Sequence, residues 1–273
     1  IAQWRGILVR RLVGRSARRL AARRLPFNIR AKTTTFPGIT LVHTLREAMV
    51  AREPAAACRE GVRFSDALGM AMIRRGFGSA THMYSMLGEC GPLFAEGKRR
   101  GLVTVSEIYI PLSTERILTE ERKKFPGWEE IVPDYTAVCR GFESSGGPRE
   151  DADFVICPSE WVRDDLVRNF AFPSEHTAIV PYGVNPELFS VRNEPVCGRI
   201  LFAGAAELRK GIHYLGAAAE ELLVRRVRCE FRIAGNVERS VTNQEQCRHL
   251  KFLGRVPRVK ITGEFALADV FVL

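Results

Sequence analysis

Apolar positions in the second half of the chain come in short blocks rather than at alternate residues. Arg199-Ile200-Leu201-Phe202-Ala203-Gly204 is one block, and Glu230-Phe231-Arg232-Ile233-Ala234-Gly235 is another. Lys251-Phe252-Leu253-Gly254 and residues 269–273 complete the set. Runs this short, bounded by glycine, suit strands buried on both faces. Between the first two, Ile212, Leu215, Ala219, Leu222 and Leu223 recur with the spacing of an amphipathic helix. The later gaps each have room for a helix of two or three turns. Strand and helix in alternation predict a parallel α/β sheet.

The middle of the chain repeats this rhythm. Leu102-Val103-Thr104-Val105 follows a helical stretch near residues 92–100, and Asp153-Phe154-Val155-Ile156-Cys157 reads as a strand. Ser159 is placed to cap a helix over about residues 160–169. A further strand, Thr177 to Pro181, stops at Tyr182-Gly183. Residues 190–198, with Asn193, Pro195 and Gly198, read as a linker. The expected domains are therefore 1–190 and 198–273.

Charge changes the picture only at the start. The chain has 273 residues, 41 of them Lys or Arg and 31 Asp or Glu. Nine arginines and Lys32 fall in the first 32 residues, with no acid among them. Without those ten the remainder is neutral. In residues 4–25, Trp4, Ile7, Leu8, Leu12 and Leu20 interleave with arginine pairs. That pattern is a basic amphipathic helix suited to an anionic membrane surface, or else a surface helix with solvated arginines. Aromatic residues there are limited to Trp4 and Phe27, so nucleic acid is not an expected partner. The seven cysteines form no C-x-x-C, which favours a reducing, cytoplasmic setting, peripheral to the inner membrane face if residues 1–32 dock there. No metal site is expected. A chain that opens on Ile1 and closes on an apolar run is read as a piece of a longer protein.

Chemistry concentrates at the turn Gly204-Ala205-Ala206-Glu207-Leu208-Arg209-Lys210-Gly211. It joins the carboxyl end of a strand to a helix start, where backbone N–H groups and a partial positive charge face outward. Arg209 and Lys210 add two cations there, which suits a phosphate or diphosphate. Two solvated cations on an ordinary loop are the alternative. The turn is not a Walker loop, and no G-x-G-x-x-G occurs.

Six motifs in order carry a resemblance. They are Ala152 to Val162, Ile179 to Asn185 with Phe189, Leu201 to Gly204 with Lys210-Gly211, Ile233-Ala234-Gly235, Phe252 to Val256, and Ala268 to Leu273. Together they closely resemble the family-4 glycosyltransferases over about residues 150–273. Lys98 to Glu107 and Glu120 to Pro126 are similar to one bacterial branch of that family.

The resemblance implies an α/β protein of GT-B fold, two Rossmann-like doubly wound parallel sheets facing a cleft, the second incomplete. It implies a retaining hexosyltransferase that moves a hexose from a nucleoside diphosphate sugar to an acceptor hydroxyl, as in polysaccharide biosynthesis. The sugar nucleotide is a substrate, and no cofactor is implied. The partners are that donor and an acceptor glycan or lipid. Lys210 matches the diphosphate lysine, with Gly204 beside it. Ala205 stands where the family often has arginine, a loss that Arg209 is placed to offset. Gly235, Arg255 and Val256 match nucleotide-binding positions, and Gly183 and Asn185 match a turn facing the cleft. Glu107 stands where the family often has a histidine and is the candidate for a catalytic role. The family's paired glutamates would follow Leu273, so this chain alone is expected to be inactive. The alternatives are another GT-B enzyme, an epimerase or phosphorylase, or a non-catalytic sugar-nucleotide binder with a membrane-docking helix.

Overall fold

A computed structural model of the chain describes residue 29 and residues 32–50, 53–86, 92–129, 152–184, 186 and 190–273. The described part is α/β, with two four-stranded sheets, one in the order β1 (His82–Met86), β2 (Val103–Glu107), β3 (Phe154–Cys157), β4 (Thr177–Ile179) and the other in the order β7 (Leu250–Gly254), β6 (Glu230–Ala234), β5 (Arg199–Ala203), β8 (Val270–Val272). The chain passes from one sheet to the other across residues 190–198. By compactness it divides elsewhere, into Ile1–Thr104 and Val105–Leu273, a division inside β2.

In the first unit, helices α1 (Pro37–Val50) and α2 (Pro54–Arg75) precede β1 (His82–Met86). The His43 ring stacks on Phe64 with centroids 4.1 Å apart. Its Nδ1 lies 3.5 Å from the buried Glu60 carboxylate. None of these three elements was expected from the sequence. In β1 the buried positions are Met83 and Ser85, and a serine on the inward face hides a strand from an apolar count. Helix α3 (Leu93–Arg99) and strand β2 (Val103–Glu107) come close to their expected places.

In the second unit, β2 pairs in parallel with β3 (Phe154–Cys157), and β3 with β4 (Thr177–Ile179). Val155 and Cys157 on β3 and Leu166 on α5 (Glu160–Phe170) are fully buried beside them. Ser159 caps α5, its Oγ accepting from the Val162 N–H at 3.4 Å. The buried Asp165 carboxylate accepts from the Ser113 N–H at 3.2 Å and from the Ser113 hydroxyl. These bonds tie α5 to the loop that precedes α4 (Thr114–Lys124).

The other sheet is all parallel. Strand β5 (Arg199–Ala203) pairs with β6 (Glu230–Ala234), and β6 with β7 (Leu250–Gly254). The chain then returns, and β8 (Val270–Val272) pairs with the free side of β5. Helix α6 (Ile212–Val224) presents Ile212, Leu215 and Ala219 to a core of Phe202, Phe231, Ile233, Val241 and Leu250. Each large apolar side chain so buried contributes about 1.5–3 kcal/mol. Asp269 ties the edge, accepting from the Gly198 N–H at 2.8 Å.

The crossover from β6 to β7 is shorter in helix than expected. It has one turn, α7 (Arg239–Thr242), then a 3-10 turn at Glu245–Cys247. This segment packs closely against α6. A Cβ added at Gly216 would stand 2.8 Å from the Gln246 carbonyl oxygen, and Cys247 is buried beneath. Helix α8 (Arg258–Ala266) fills the last gap.

Candidate functional site

The reversal of strand order falls at β5, with β6 and β7 to one side and β8 to the other. In open parallel sheets the loop leaving such a strand borders a crevice at the carboxyl ends. Here that loop is the Gly204 to Gly211 turn. Backbone pairing continues past the strands at this edge. The Gly204 N–H donates to Ala234 O at 3.0 Å, and the Ala206 N–H to Asn236 O at 2.8 Å. The Gly235 N–H donates to Gly254 O at 2.9 Å. The expected glycines Gly204 and Gly235 therefore lie together. A Cβ on Gly235 would sit 1.6 Å from the Gly204 carbonyl oxygen, so its missing side chain admits the neighbouring backbone.

Within the turn, Leu208 is buried and pins a 3-10 segment, Leu208–Lys210. Gly211 takes φ 71°, a left-handed conformation that glycine adopts without strain, and α6 begins at Ile212. The Lys210 and Gly211 amides are used inside the turn, donating to Glu207 O at 3.0 Å and Leu208 O at 2.9 Å. The leading amides of α6 have no partner within the helix, as at any helix start. The two cations are not equivalent. Arg209 pairs with Glu207 at 2.5 Å, which offsets its charge. Lys210 is exposed and has no ion pair among the described residues.

Arg255 and Val256 follow Gly254 at the end of β7, the arginine exposed and the valine half-buried. Two strand spacings separate β7 from β5, roughly 10 Å.

Glu107 ends β2 in the other sheet, opposite Ile156. The Tyr182 hydroxyl donates to Glu107 Oε1 at 3.1 Å, reaching across the end of β3 from the turn after β4. Gly183 follows it, with open space where a Cβ would stand. Loss of solvent and the Glu107 carboxylate both hold the Tyr182 phenol above its usual pKa. Asn185 lies outside the described residues, as does the basic segment, save for Ile29 and Lys32.

One cluster has no signature in the sequence. His213 is the second residue of α6 and is 2% exposed. Phe125, Trp128 and Tyr214 surround its ring, with centroids 4.3, 5.6 and 4.0 Å away. Its Nε2 lies 3.5 Å from Glu121 of α4. Glu121 also accepts from the Tyr214 hydroxyl and the Lys124 ammonium, each at 3.0 Å. Burial pushes the His213 pKa down, against the pull of Glu121. Lys124 leads in lowering the Glu121 pKa.

The sign of the pH effect follows. A histidine held neutral in the fold takes up a proton on unfolding, so acid favours the unfolded chain. Stability attached to His213 is full above the ordinary value of 6.5 and falls as the pH drops below it. The lowered Glu121 pKa adds a loss in the same direction at lower pH. Thermal melts at pH 7.5 and 5.5 should show a lower midpoint at pH 5.5, and His213→Phe should shrink the difference. An unchanged difference in the variant would remove His213 as its source.

No protein-family model matches the chain, nor does any curated protein. Among the described residues no group of three or more His, Cys, Asp or Glu side chains gathers to hold a metal. None of the described helices is long and apolar enough to cross a membrane.

Proposed function

We propose that the chain supplies the donor side of a retaining glycosyltransferase of GT-B architecture, with the β5–β8 sheet as the nucleoside diphosphate sugar side. The observation that carries this reading is the β7-β6-β5-β8 order, with its reversal at the strand that leads into Lys210. A cation with no ion pair among the described residues, beside a helix start, is suited to a diphosphate leaving group. The six-motif resemblance supports the same assignment.

In the proposed step the bond from the sugar's anomeric carbon to the diphosphate oxygen breaks. The acceptor oxygen bonds to that carbon on the same face, and the acceptor proton passes to the leaving diphosphate. Lys210 stabilises the charge that grows on the diphosphate. Arg209 is less available for this, because Glu207 engages it. Arg255 and Val256 are assigned to the base, at the far end of the same sheet edge.

Calorimetric titration of the chain with UDP, GDP and ADP tests the reading. One of them should bind saturably. Lys210→Ala should weaken that binding by about 1.5–3 kcal/mol, the worth of a charge-assisted contact. Arg209→Ala should weaken it less. Failure of all three nucleotides to bind, or equal binding by the Lys210 variant, would refute the donor-site assignment.

A further inference from the structure

The carboxyl ends of β2 and β4 carry a second arrangement with the makings of a binding site. Tyr182 is 64% exposed, yet its hydroxyl is held by a carboxylate 75 positions away in the chain. A hydrogen bond to a charged acceptor fixes the phenol ring and leaves its faces open to solvent. Tyr109, two residues beyond Glu107 in the chain, is 53% exposed. Val184 beside it is also exposed. Glu107 is only partly buried, and a carboxylate accepts several hydrogen bonds, so Tyr182 does not saturate it. Exposed aromatic faces beside a carboxylate with spare acceptor capacity suit a ligand that is apolar on its ring faces and rich in hydroxyl donors at its edge. A pyranose ring has that distribution.

We propose that Tyr182, Tyr109 and Glu107 form a subsite for a neutral pyranose ring, and that the acceptor is accordingly a glycan. The clause about the acceptor rests on the glycosyl-transfer reading; the subsite itself does not. Tyr182 stacks on the ring, Tyr109 flanks it, and Glu107 accepts from ring hydroxyls. Glu107 on this account is a binding group and takes no proton from the acceptor.

Saturation-transfer NMR of the full chain with methyl glucoside, methyl galactoside and methyl mannoside tests the proposal, with tetramethylammonium as a cationic control. One glycoside should show transfer, strongest at its ring protons. Tyr182→Ala should weaken binding by about tenfold or more. Tyr182→Phe keeps the ring and should retain most of it. Glu107→Gln should weaken it too, while Lys210→Ala should leave it unchanged. No transfer to any glycoside overturns the proposal. So does binding indifferent to the Tyr182 and Glu107 substitutions, or saturation by tetramethylammonium alone, which would mark a cation–π site. The nucleotide titration is a separate readout. Glycoside binding without nucleotide binding would keep the subsite and remove the transferase reading.

Discussion

Gly235→Ala is expected to destabilise the second unit by about 3 kcal/mol or more, at the upper end of what overpacking costs. An added Cβ would lie 1.6 Å from the Gly204 carbonyl oxygen, and that obstacle is backbone with no rotamer to turn aside. Relief requires β5 and β6 to part at their carboxyl ends. The hydrogen bonds from Gly204 to Ala234 and from Gly235 to Gly254 would be strained or lost, at about 1 kcal/mol each. Gly204→Ala provides the contrast. Its nearest neighbour would be the Phe202 ring at 3.5 Å, an ordinary contact, and the cost should stay within about 1 kcal/mol. Urea unfolding of the two variants beside the parent measures both. Equal midpoints for the two alanines would show that the strands do not meet as described.

Trp128→Ala should cost about 3–5 kcal/mol, the usual range for emptying a large aromatic site in a core. Trp128 is 5% exposed and packs with Phe125 and His213 into the core that α6 covers. The backbone on either side is held independently. Ser240 Oγ donates to Trp128 O at 3.0 Å, and Gln244 Nε2 to Gly127 O at 3.1 Å. Those bonds survive the substitution, so the loss reports the cavity and not a detached loop. Trp161, 72% exposed on α5, is the comparison, and its alanine variant should stay within about 0.5 kcal/mol. Trp128→Ala no more costly than Trp161→Ala would contradict the packing.

The strands of the second sheet were legible as short apolar runs: Leu201, Phe202, Phe231 and Ile233 of the two central strands are buried, while Val270 and Phe271 of β8 keep the apolar pattern although they are exposed. The helix over Ile212 to Val224 was legible because its partners all lie on one face. What could not be read depends on residues distant in the chain. His213 has no signature of its own, since Glu121, Phe125 and Trp128 build its surroundings from about ninety positions earlier. The bond from Tyr182 to Glu107 spans two strands and leaves no mark in either motif. Gly235 was legible as a glycine that admits something close, but a ligand and a neighbouring backbone make the same demand. Arg209 and Glu207 are two apart, a spacing that does not face on a helix; the pair forms because Glu207 is extended and lies just before the 3-10 turn.

The segment around Trp128 also bears on how the chain can be cut. A break in the linker at residues 190–198 looks natural, since it separates the strands of one sheet from those of the other. Such a break would leave α6 without Trp128 and Phe125, and would open an apolar socket to water around His213. A piece begun at residue 198 would therefore be prone to stick to copies of itself. The second sheet borrows part of its covering from residues 114–128, so those residues travel with it or it is left unfinished.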